Sequence, residues 1–153
     1  MDTVLIAIDG SPSAHEAAAF GLELAADHEA TATFVLAVPE LDVVPTGGFG
    51  LTAAVPHVPT DTEREPLEEA LRLAEEAGID VEAKLLRGDP VDEIVAYADA
   101  VDADLIVVGS RGHGALTSAL LGSVSRGILR EARRPVLVVR GTAARRPAPL
   151  AAV

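Results

Sequence analysis

Five short apolar runs punctuate the chain, at residues 4–8, 32–38, 81–86, 105–108 and Val136–Val139, and between them the apolar residues fall at helical spacing. Residues 105–108 and 136–139 are unbroken branched aliphatic runs, as expected for strands buried on both faces. Ala14, Ala17, Ala18, Gly21, Leu22 and Ala25 make one face of a first helix behind the start signal Ser11-Pro12-Ser13. Leu67, Ala70, Leu71 and Ala74 line a second, whose other face carries Glu68, Glu69, Glu75 and Glu76 and which stops at Gly78. Asp89-Pro90 opens a third as N-cap and first-turn proline, with Val91, Ile94, Val95 and Ala98 inward. Gly122-Ser123 opens a fourth, with Val124, Ile128, Leu129 and Ala132 inward, ending at Arg133-Arg134-Pro135. Strand–helix alternation implies right-handed crossovers and a parallel sheet covered on both faces. The predicted fold is therefore α/β, a doubly wound α/β/α sandwich with five parallel strands.

Two stretches break the pattern. Residues 39–60 carry Pro39, Pro45, Pro56 and Pro59 together with Gly47-Gly48-Phe49-Gly50, too much punctuation for a regular element; a connection of that length is usually functional or disordered. Residues 142–153 read as a flexible tail following one domain at 1–141.

A chain of 153 residues can bury one such sheet between two helical layers. With 49% apolar residues but only 3% aromatic, its core must be packed from Ala, Val, Leu and Ile. There is no cysteine, which removes disulfides and thiolate metal sites. Met1 leads straight into a strand-like run without a basic leader or a long apolar segment, so the expectation is a cytoplasmic protein with no membrane span. The formal net charge of −12 repels nucleic-acid phosphates and argues against DNA or RNA as partner. Of the twelve basic residues, Lys84 is the one lysine. Such an acidic, lysine-poor surface suits a high-salt cytoplasm, although a GC-rich genome would produce the same Arg and Ala bias.

In an open parallel sheet, ligands bind beyond the carboxyl ends of the strands, where strand order reverses. The loop after the fourth strand reads Gly109-Ser110-Arg111-Gly112-His113-Gly114, and Gly122-Ser123-Val124-Ser125 opens the next helix. Glycines let successive N–H groups turn toward an anion, and a helix start adds unpaired donors with a partial positive charge, which together suit phosphate. Turn glycines of a non-binding domain would use the same residues.

The spacing of Gly109, Gly112 and Gly122-Ser123 resembles the G-x2-G-x9-G-[ST] ATP-binding signature of the universal stress protein family. Residues 4–11, 104–109 and 134–139 resemble that family's first, fourth and last strands, so the resemblance spans residues 3–140. It implies strand order 3-2-1-4-5 and ATP as ligand, with Mg²⁺ held by the bound phosphates. By resemblance, Asp9 holds the ribose, the backbone at Ala7 lines the adenine pocket, and Val38 packs on adenine and bonds it through its backbone. Gly109, Ser110, Arg111, Gly112 and His113 wrap the phosphates, and Gly122, Ser123, Val124 and Ser125 close the cradle. The resemblance further implies a homodimer through the edge strand Val136–Val139. The family often has His where this chain has Ala37, and the connection after the second strand is more proline-rich here.

Each residue also has a plainer role open to it. Asp9 could cap the helix after Pro12, Ser123 could be an N-cap or first-turn residue, His113 could be a solvated loop histidine, and Arg111 could simply be exposed. His15, His28 and His57 have no carboxylate or second histidine at metal-ligand spacing and read as exposed, so no metal site is expected from side chains alone. The expected function is an ATP-binding stress-response regulator. A slow ATP hydrolase is one alternative, though a nucleotide-activating lysine, a catalytic base and a dedicated magnesium carboxylate pair are missing from the motif. A dimeric interaction protein on the same fold is another. A phospho-acceptor domain is excluded because the fifth strand ends in Arg140 rather than Lys, and a dinucleotide site because Asp9-Gly10-Ser11-Pro12 lacks its glycines.

Overall fold

A computed structural model describes residues 1–111 and 121–141. The expected tail at 142–153 and the sequence positions Gly112 and His113 lie outside the described residues. The chain runs β1 (Thr3–Ile8), α1 (Pro12–Asp27), β2 (Thr31–Val38), β3 (Leu41–Pro45), β4 (Thr52–Pro56), α2 (Asp61–Ala77), β5 (Val81–Arg87), α3 (Pro90–Ala100), β6 (Leu105–Gly109), α4 (Ser123–Glu131) and β7 (Val136–Val139). The main sheet has order β5-β2-β1-β6-β7 and every pairing in it is parallel. This is the expected 3-2-1-4-5 order once the inserted β3–β4 pair is set aside.

Period-two alternation sorts the strand side chains into two cores. Val4, Ile6, Phe34 and Val107 face α1 and α2, where Ala17, Ala18, Leu22, Ala70 and Ala74 meet them. Leu5, Val35, Ile106 and Val108 face α3 and α4, against Ile94, Ala98 and Ile128. Small alanines on the helices let the layers approach closely around a core nearly free of aromatic side chains. Chain reversals follow local chemistry. The Ser11 hydroxyl caps α1 by accepting from the Ala14 N–H at 3.2 Å, and Asp89 caps α3 by accepting from Val91 and Asp92. Gly78 ends α2 in the left-handed conformation, φ +69°.

Several expectations are corrected. Residues 39–60 do hold a regular element: β3 and β4 form an antiparallel hairpin, with Leu41 opposite Pro56 and Pro45 opposite Thr52. Its prolines sit at strand ends, where a missing N–H removes no interior ladder bond. Leu71 and Leu129 are exposed rather than inward, because in each helix the apolar stripe narrows to its neighbours, Ala70 and Ala74 in α2 and Ile128 in α4. Val136–Val139 are each partly exposed, since β7 is an edge strand and lacks a neighbour on one side. His57 is buried and does have carboxylates beside it, Asp42 and Glu63, which chain folding brings from β3 and from the first turn of α2. Among the described residues, no group of three metal-ligating side chains is placed to hold an ion, and no helix is long and apolar enough to cross a membrane.

Candidate functional site

The order reverses between β1 and β6, and a cavity of about 420 Å³ opens there at the carboxyl ends of the strands. That volume lies within the usual range for small-molecule sites, about 300–1,000 Å³. Ala7, Ile8 and Asp9 from the end of β1 and Val108, Gly109 and Arg111 from the end of β6 form one side of it. Gly122 through Ser125, the start of α4, form another. Ala37 from β2 and Pro90 and Ile94 from α3 complete the apolar end.

The polar end is built around a helix terminus. The other three described helices each begin with a side-chain cap, from Ser11, Thr60 and Asp89. The N-cap of α4 is Gly122, which has no side chain to offer, and no acidic residue occupies its first turn. The first N–H groups of a helix have no intrahelical acceptor, so those of Ser123, Val124 and Ser125 are donors at the cavity wall. The Gly122 N–H itself is engaged, donating to the Ser110 carbonyl at 2.8 Å, which hooks α4 onto the end of β6.

The loop around Gly109 is held by serines. Arg111 donates its N–H to Ser13 Oγ at 3.1 Å, while its carbonyl accepts from Ser13 Oγ at 2.5 Å and from Ser11 Oγ at 2.9 Å. Both serines are buried, and each satisfies its hydroxyl within this network. Ser125 Oγ donates to the Gly109 carbonyl at 2.6 Å, joining α4 to β6 a second time. A Cβ at Gly109 would lie 2.6 Å from both the carbonyl carbon and Oγ of Ser13 and 2.7 Å from the Ala14 nitrogen. The missing side chain is thus required by the crossing of α1 over β6.

Of the residues expected from sequence, Ala7, Asp9, Gly109, Arg111, Gly122, Ser123, Val124 and Ser125 meet at this cavity. Gly112 and His113 lie outside the described residues. Ser110 is buried, with its N–H donated to the Val139 carbonyl at 2.7 Å, and is absent from the cavity wall. Val38 is also absent from it; its carbonyl accepts from the Gly88 N–H at 2.9 Å, and Ala37 stands at the cavity instead. Alternation explains the exchange, because Val35 faces α3 and α4 and residue 37 shares that face whereas residue 38 does not. Counting by two from Val35 would have selected Ala37. Pro90 and Ile94 carry no sequence signal beyond their inward helical spacing. The capping role considered for Asp9 belongs to Ser11; Asp9 Oδ1 accepts from the Ser11 N–H at 2.8 Å, a tight turn that sets the carboxylate at the cavity mouth.

Residues 1–140 match the model of the Universal stress protein family. A universal stress protein of Methanocaldococcus jannaschii is 34% identical over 140 residues, covering 90% of this chain and 81% of that protein. Another, of Thermus aquaticus, is 38% identical over 143 residues, covering 90% and 98%. Among solved structures, a universal stress protein in complex with cAMP superposes with a TM-score of 0.69 at 32% identity, covering 92% of this chain and 98% of its own. The universal stress protein of Archaeoglobus fulgidus in complex with dAMP does so with a TM-score of 0.64 at 27% identity, covering 91% and 97%.

Proposed function

The chain belongs to the universal stress protein family, and from that premise we propose that it is a cytoplasmic stress-response regulator that holds an adenine nucleotide, ATP included, in the cavity between β1 and β6. The observation that carries the reading is the uncapped start of α4. It turns unpaired N–H donors into a cavity whose opposite end is apolar, which matches a ligand with phosphate at one end and a flat base at the other. The two solved relatives hold cAMP and dAMP, adenine nucleotides of this chemistry. In this assignment the base lies toward Ala37, Pro90 and Ile94, Asp9 accepts from the ribose, and the phosphate meets Ser123, Val124 and Ser125 beside Arg111. Any Mg²⁺ is carried by the phosphates.

Binding rather than turnover is the proposed activity. The charged side chains on the described cavity wall are Asp9 and Arg111, and one carboxylate with one guanidinium does not make the metal-and-base set that phosphoryl transfer to water uses. Incubation of purified protein with ATP, followed by denaturation and mass spectrometry, should recover ATP; ADP accumulating with time would overturn this. By calorimetry, Asp9→Ala is expected to weaken ATP binding by about 1–3 kcal/mol, the scale of a hydrogen bond to a charged group. Unchanged affinity would remove Asp9 from the ribose role.

The edges of the main sheet favour a homodimer through β7. At the opposite edge β5 carries exposed Glu82, Lys84 and Arg87, charges of the kind that discourage strand addition. β7 presents Val136, Leu137, Val138 and Val139 with no charge between them. Antiparallel pairing of two such edges across a twofold axis covers both at once. Light scattering should give twice the chain mass at micromolar concentration, in low and high salt, and a monomer there would refute the interface.

A further inference from the structure

The β3–β4 hairpin is anchored by a polar device rather than by core packing. Neither apolar cluster includes a hairpin residue, and its outward face leaves Leu41 and Val43 exposed. What ties the hairpin down converges on His57, just beyond β4. Its N–H donates to the Glu40 carbonyl at 2.9 Å, closing the base of the hairpin, and its own carbonyl accepts from Arg87 of β5 at 2.9 Å. The ring lies between two acids: Nδ1 is 2.8 Å from Asp42 Oδ1 on β3, and Nε2 is 3.1 Å and 3.2 Å from the two carboxylate oxygens of Glu63 on α2.

Both ring nitrogens therefore face groups that, when ionised, can only accept. A neutral imidazole has one N–H and would set a bare lone pair against an anion at the other nitrogen; the imidazolium donates to both. Glu63 does not depend on His57 for its position, because its Oε2 also accepts from the Thr60 N–H at 2.8 Å and hydroxyl at 2.9 Å in the capping box of α2. Glu63 is the fixed side, Asp42 the hairpin side, and the ring the link. We propose that His57 is a pH-operated clasp, docking the β3–β4 hairpin on α2 as an imidazolium bridging Asp42 and Glu63 and releasing it on deprotonation.

The charged groups facing the clasp are Asp42 from β3, Glu63 from α2 and Arg87 from β5, the last meeting the main-chain carbonyl rather than the ring. The ring's hydrogen bond to Asp42 is the main cause raising the imidazole above its ordinary 6.5; burial opposes it, and the charges of both carboxylates add to the rise. Hydrogen bonds from Thr60, with His57 adding to them, hold Glu63 below its ordinary 4.5. A raised histidine contributes fully below the undocked value and is lost as pH climbs through the docked one, while a depressed Glu63 keeps the anionic side intact until pH falls well into the acid range. The clasp is thus closed at mildly acidic pH, below the ordinary 6.5, and opens as pH climbs through the raised value of the docked ring.

The test is a ring-proton NMR titration of the intact chain, with amide hydrogen exchange of hairpin residues at pH 6 and pH 9, corrected for intrinsic exchange. The ring should titrate above 6.5, and hairpin amides should lose protection between pH 6 and pH 9 while α2 amides hold theirs. In His57→Gln the hairpin should be weakly protected at both pH values with no step, and Asp42→Asn should lower the ring midpoint. A ring titrating at or below 6.5, or a protection step that survives His57→Gln, would overturn the proposal.

Discussion

Replacing Gly109 by alanine is expected to lower unfolding free energy by about 3 kcal/mol or more, although the added group is one methyl. The added carbon would meet the carbonyl carbon and Oγ of Ser13 at 2.6 Å and the Ala14 nitrogen at 2.7 Å. These are backbone and hydrogen-bonded atoms at the first turn of α1, so no flexible side chain can swing aside. Relief requires α1 to move off β6. That movement would stretch the bonds from Ser11 and Ser13 to the Arg111 carbonyl and disturb the one from Ser125 to the Gly109 carbonyl. Two terms then add, overpacking at roughly 1–3 kcal/mol and buried hydrogen bonds at roughly 1 kcal/mol or more each. A urea titration should show a lowered midpoint with unchanged slope. An unaltered midpoint would mean the crossing of α1 and β6 is looser than its geometry implies.

This changes the meaning of the glycine spacing. Gly109 reads in sequence as a residue freeing backbone donors for phosphate, whereas in the fold its lack of a Cβ first lets a helix cross the strand. The steric demand at Gly109 holds whether or not phosphate binds beside it. The sheet and the four helices were legible because period-two and 3.6-residue spacings are imposed by burial, which repeats along an element. What was missed depends on a single neighbour distant in sequence. The Ser11 and Ser13 hydroxyls meet Arg111 about a hundred residues away, and nothing local distinguishes them from an ordinary helix start. His57 lies 15 residues from Asp42 and 6 from Glu63, spacings that become contacts only because the hairpin folds back. The place of Ala37 on the cavity wall follows from the strand's own alternation, while the backbone role of Val38 is implied by the resemblance alone.

Gly122→Val is expected to reduce nucleotide affinity by about 100-fold or more, roughly 2.7 kcal/mol, while leaving the fold in place. The backbone there has φ −61° and ψ 161°, an extended conformation open to any residue, so valine adds no backbone strain. Its effect is on the donors. An N-cap side chain leans over the second and third N–H groups of the helix, which is why Ser, Thr, Asp and Asn cap well. Valine would lay methyl groups over the donors of Val124 and Ser125 that the proposed phosphate uses. Helix stability should fall by about 1 kcal/mol, since valine caps worse than glycine. Gly122→Asp separates the two roles with opposite signs: its carboxylate would satisfy those donors, raising stability by a few tenths to about 1 kcal/mol, while filling the anion position and losing the nucleotide. Calorimetry with ATP alongside urea midpoints reads both quantities. If Gly122→Asp bound ATP as tightly as the parent chain, the phosphate would lie away from the start of α4, and the assignment of that helix terminus would fail even with the cavity occupied.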